Sequence, residues 1–89
     1  MGKWVYNGRI MARYEVGNVL EIRGGNHYVI LQHEDKDEMY YIWLIHEVRP
    51  ESGVRFGWWV HINLMDGKIW KKIADTCDLP EVKMALLKQ

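Results

Sequence analysis

His61 is the side chain best suited to move a proton. It alternates with Arg55, Gly57, Trp59 and Asn63, and alternate residues of a strand share one face. With Tyr41 set opposite, an imidazole base and a guanidinium that holds phosphate would make a ribonuclease-type site. Trp43 falls on the same face, which suggests a different chemistry. A Trp43–Trp59–Tyr41 platform offers flat rings for a nucleobase to stack on, or an apolar surface for a protein partner to bury. Charge weighs between them. Twelve Lys and Arg against twelve Asp and Glu leave no net charge, a poor balance for a protein held to long RNA through its phosphates. His61 therefore reads first as the edge of a contact surface, and second as a base.

The other reactive groups read as structure. His27 and His33 share one expected strand and face, but six residues at about 3.4 Å each separate them by about 20 Å. His33 and His61 fall two strands apart, about 10 Å, where ligands to one zinc cannot meet. His46 is expected inward, opposite Phe56, as a hydrogen-bonded core histidine. The sequence holds neither Cys-x-x-Cys nor His-Glu-x-x-His, so neither a metal nor a cofactor is expected. Cys77 has Asp75 and Asp78 beside it; negative neighbours and burial both disfavour a thiolate, which points to packing. The Glu34-Asp35-Lys36-Asp37-Glu38 run lacks the glycine and distant glutamate of a calcium loop and reads as a solvated turn. Gly24-Gly25 precedes a strand and is not followed by Lys-Ser/Thr, which excludes a phosphate-binding loop.

The elements that must position these groups follow from punctuation and period. The 89 residues suffice for one domain, strand-rich over 1–65 with a helical tail over 68–89. Turn signals stand at Asn7-Gly8, Gly24-Gly25-Asn26, 34–38, 49–53 and Asp66-Gly67. Between them, runs rich in Val, Ile, Tyr and Trp predict strands near 3–6, 9–14, 18–23, 27–33, 39–48 and 54–65, joined as an antiparallel meander. Beyond Gly67, Ile69, Ile73 and Cys77 recur every four residues, the period of a helix face. Asp78-Leu79-Pro80-Glu81 then predicts a second helix start, with Asp78 as cap and Leu79, Val82 and Leu86 as its apolar stripe. The alternative is a last strand over 68–72, paired through Asp66-Gly67, with one helix after it.

A reversal centred on 49–53 sets the register of the longest ribbon. It pairs Val48 with Val54, Glu47 with Arg55, Ile45 with Gly57, Trp43 with Trp59 and Tyr41 with His61. On the opposite face it pairs Leu44 with Trp58, Ile42 with Val60 and Tyr40 with Ile62. Val54, Phe56, Trp58, Val60, Ile62 and Leu64 then form a core face, joined by Leu20, Ile22, Tyr28 and Ile30. The second face carries Val29, Leu31, Tyr41, Trp43, Ile45 and Trp59, too apolar to stand in water. Its cover is the C-terminal helices, barrel closure, a partner or a flat ligand, and the function turns on which.

Two local likenesses bear on architecture. The Val16-Gly17-Asn18-Val19-Leu20-Glu21-Ile22 stretch is similar to the opening strand of SH3-like barrels. Ile73-Ala74…Leu79-Pro80…Val82 resembles a run found in helix-turn-helix cores, without the preceding helix, and no function is carried from it. The fold expected is β+α: a curved antiparallel β-meander or SH3-like small barrel with one or two short C-terminal helices. The function expected is non-enzymatic binding, as of an inhibitor or accessory protein. An aromatic sheet face (Trp43, Trp59, Tyr41 and His61, with Arg55 at its edge) would contact a protein partner or a second copy. The alternatives are a nucleotide or short single-strand binder that stacks bases, and a small ribonuclease toxin using His61. One cysteine excludes an internal disulfide and favours a reducing compartment. With no membrane-length apolar run and no signal-like start, the expected location is the cytoplasm.

Overall fold

The alternation of β-branched and aromatic residues through 19–46 builds a sheet with two apolar faces. The computed structural model describes residues 4–6, 9–11, 14–49, 57–65 and 67–88. Its strands are β1 (Trp4–Tyr6), β2 (Arg9–Met11), β3 (Val19–Ile22), β4 (His27–Glu34), β5 (Met39–His46), β6 (Gly57–His61) and β7 (Trp70–Ala74), followed by one helix, α1 (Pro80–Leu87). β1 and β2 pair with each other, with Tyr6 opposite Arg9 on either side of Asn7-Gly8. The other five form one antiparallel sheet in the order β6-β5-β4-β3-β7. This sheet is open, with β6 and β7 at its edges. The result is a small β+α fold, and the described strands give the barrel alternative no support.

The first face carries the larger core. Tyr14, Leu20, Tyr28, Ile30, Tyr40, Ile42, Leu44, Val60, Ile62 and Met65 are buried together, with Ile22, Trp58 and Trp70 packed against them. Tyr28 sits between two indoles, 5.3 Å from the ring of Trp58 and 5.5 Å from that of Trp70. The Tyr40 hydroxyl donates to the Tyr14 carbonyl at 2.9 Å and accepts from the Tyr14 amide at 3.0 Å. On the second face Val19, Val29 and Leu31 are buried against Val82 of α1, with Trp43, Ile45, Tyr41, Cys77, Leu79, Ala85 and Leu86 around them. The helix stripe of Leu79, Val82 and Leu86 thus covers part of this face, and Cys77 is packing.

Several expectations change. The segment 70–74 is a strand paired to β3, with Trp70 opposite Ile22 and Lys72 opposite Leu20. The period-four spacing of Ile69 and Ile73 is incidental, and both are exposed, at 41% and 42%. Five residues make a poor helix nucleus, whereas beside β3 they satisfy an otherwise open sheet edge. α1 begins at Leu79 without a side-chain cap; Pro80 stands in its first turn, and Asp78 lies 3.9 Å from the Lys83 ammonium instead. β6 stops at His61, a 3₁₀ turn follows over Ile62–Leu64, and Leu64 is 69% exposed while Met65 is buried in its place. The expectations for Val54, Arg55 and Phe56 lie outside the described residues.

The β5–β6 register is offset by two residues from the expected one: Trp43 faces Gly57, Tyr41 faces Trp59 and Met39 faces His61. An even offset leaves every side chain on its expected face. A 34–38 turn would set His33 opposite Met39; Glu34 faces Met39 instead, and a bulge between Ile30 and Gln32 brings Ile30 opposite Ile42. That bulge separates the histidines expected to share a face. His33 stacks on Tyr40 of the first face at 4.7 Å, while His27 follows Val29 onto the second. A second shift, between His27 and Tyr28, sets His46 opposite His27. Their rings lie 5.0 Å apart, and His46 is exposed, not a core residue.

Candidate functional site

The second face is divided by what α1 reaches. Toward β3 and the middle of β4 it is covered; toward β6 and the β4–β5 turn it is not. Trp43 belongs to the covered part, half-buried in the second core. Trp59, two positions along β6 from the partner of Trp43, is 44% exposed. The Tyr41 ring lies 5.3 Å from Trp59 at an interplanar angle of 59°. The two indoles therefore share a face but not an environment.

Gly57 makes room for this arrangement. A Cβ there would meet the Ile42 carbonyl oxygen at 2.5 Å and the Tyr41 hydroxyl at 2.8 Å. Only a residue without a side chain lets the Tyr41 ring lie across the edge strand and lean toward Trp59. The tilt between the rings has a consequence. Two faces at 59° make a corner, whereas successive bases need surfaces in parallel planes.

His61 is engaged as a turn residue. Its Nδ1 accepts the Asn63 amide N–H at 3.0 Å, which places the ring proton of the neutral form on Nε2. That nitrogen faces the Glu38 carboxylate at 3.9 Å. Glu38 holds the same corner through its backbone, its carbonyl accepting the Ile62 amide at 2.8 Å from a positive φ of 55°. The ring thus joins the β4–β5 turn to the end of β6. Arg55 lies outside the described residues.

Beside Trp59 is an open hollow of about 280 Å³ lined by Glu34, Asp37, Met39 and Trp59. Sequence reasoning singled out Trp59 but took Glu34 and Asp37 as a solvated turn and left Met39 out of the site. The available signal was adjacency: an acidic turn feeding directly into an aromatic strand, Met39-Tyr40-Tyr41-Ile42-Trp43. At the far end of the sheet a second hollow, about 430 Å³, is lined by Arg23, Gly24, Asn26, Val48 and Arg49. There Gly25 holds a φ of 98°, and a Cβ on it would meet the Val48 side chain at 2.7 Å. Asn26 Oδ1 accepts the Val48 amide at 3.0 Å, tying that turn to the end of β5.

No helix among the described residues is long and apolar enough to cross a membrane. Compared with protein-family models, with curated proteins and with solved structures, the chain matches none.

Proposed function

We propose that this protein is a non-enzymatic binding module that contacts a protein partner, or a second copy of itself, through the uncovered end of its second sheet face. Trp59 is the anchor, Tyr41 the wall beside it and His61 the rim, with Arg55 at the edge as its spacing from Trp59 suggests. Trp43 supports the surface from the second core, against which it packs. One juxtaposition carries the reading: of two indoles on one face, Trp43 is half-buried against the second core and Trp59 is 44% exposed. An exposed Trp on an edge strand adds little to folding, and buried aromatics of this kind dominate interface energies. The rival readings lose ground to the same geometry. The Tyr41 and Trp59 rings meet at 59° and make a corner, not the parallel surfaces that a run of bases needs. As a base His61 would have to give up its Asn63 bond or turn from Glu38.

The test is light scattering over a dilution series, together with a photo-crosslinking amino acid placed at position 59 and, as control, at the exposed Met84. The expected result is a dimer that Trp59→Ala dissociates, or a protein adduct formed from position 59 and not from 84. A monomer at every concentration with no adduct from 59 would overturn the reading.

A further inference from the structure

We infer that the hollow beside Trp59 receives a guanidinium or ammonium group from a basic segment of a partner protein. This rests on the binding reading above and adds the chemistry of the partner. The hollow is lined by Glu34, Asp37, Met39 and Trp59, two residues that carry carboxylates beside two that carry a thioether and an indole. Its size, about 280 Å³, falls just under the range of about 300–1,000 Å³ typical of small-molecule sites. One long side chain suits it better than a cofactor does.

Charge selects the occupant. The 34–38 turn carries four acids and one lysine in a chain of zero net charge. Two of those acids have a histidine beside them: Asp35 lies 3.4 Å from His33 Nε2, and Glu38 lies 3.9 Å from His61 Nε2. The two that line the hollow are the other two. Asp37 makes no ion pair with a described residue, and Glu34 accepts the Lys36 backbone amide at 3.3 Å. A phosphate or an acidic lipid would be repelled here. An apolar segment would strip water from both carboxylates and return nothing for it. A cation is attracted by the carboxylates and by the face of the indole together, and a planar guanidinium can pair with the first while stacking on the second.

The probe is a fluorescein-labelled (Arg-Gly)₄ peptide followed by anisotropy on the full chain, with (Lys-Gly)₄ and (Glu-Gly)₄ peptides alongside. The Arg peptide is expected to bind best, the Glu peptide not at all, and binding to weaken as NaCl is raised. Trp59→Ala and the double change Glu34→Gln/Asp37→Asn should each weaken it by about tenfold, equivalent to about 1.4 kcal/mol. The double change Asp78→Asn/Glu81→Gln removes the same charge near α1 and should leave binding unchanged, separating this hollow from general acidity. Failure of the Arg peptide to bind, or equal losses in the two double variants, overturns the inference. An adduct from position 59 whose formation the peptide does not block overturns it too, while the binding reading stands. A dimer that Trp59→Ala dissociates and the peptide leaves intact assigns the hollow to a second copy, with the same consequence.

Discussion

Tyr40 fastens the first core to Tyr14, which lies outside the described strands. Fully buried, it clasps both backbone groups of Tyr14 through one hydroxyl and stacks its ring on His33. Tyr40→Phe keeps the ring and removes both bonds, so its cost isolates the clasp. Net values of about 1 kcal/mol per hydrogen bond, more where a buried polar group loses its partner, set the loss at about 2 kcal/mol. In a domain of this size that lowers Tm by about 10 °C. A melt within about 2 °C of the parent would show the clasp to be energetically idle. The inward position of Tyr40 was legible from the alternation of 39–46, but its partner was not. Tyr14 precedes it by 26 positions, and no periodicity reports a contact between a loop and a strand. His46 failed for a related reason: a one-residue shift beside Tyr28 moved it from the core to the surface.

At the scale of elements, the β5–β6 ribbon kept its faces and lost its neighbours. A two-residue offset between β5 and β6 leaves every side chain on its expected face yet exchanges every partner, setting Trp43 against Gly57 rather than Trp59. Strand alternation encodes the face, whereas a shift by an even number of residues changes the partner and leaves the alternation as it was. The 68–77 segment follows the alternative reading, a last strand with one helix after it, although the strand is 70–74 and its partner is β3. Its apolar spacing suits a helix, but an available sheet edge outweighed it. The Leu79–Val82–Leu86 stripe was legible, because Pro80 and Glu81 fix where the helix begins. Val82 is its wholly buried member, set among Val19, Val29 and Leu31. Val82→Ala is expected to cost about 2 kcal/mol in urea unfolding, the transfer of two methyl groups plus the space they leave. It should also speed hydrogen exchange at the Trp43 indole while sparing amides of the Tyr40 side. Unchanged exchange at Trp43 would mean that α1 is not what covers it.

At the scale of the whole molecule, one sheet serves two cores. β4 and β5 give Tyr28, Ile30, Tyr40, Ile42 and Leu44 to the first, and Val29, Leu31, Tyr41, Trp43 and Ile45 to the second. Neither face can lose its cover without exposing the back of strands that the other face needs. The helix is equally dependent, since eight residues fall short of the 12–15 or so at which an isolated helix becomes even marginal in water. α1 therefore exists only while Val82 is seated on the sheet. The expected outcome is a single cooperative transition, with far-UV ellipticity, which follows α1 and the strands, and tryptophan fluorescence, which follows both cores, sharing one midpoint. Helix loss at a lower temperature than the fluorescence change would separate the two cores. It would also alter the meaning of the open indole, because a helix that leaves early takes Val82 from the second core, and the contact surface would then extend across the whole second face.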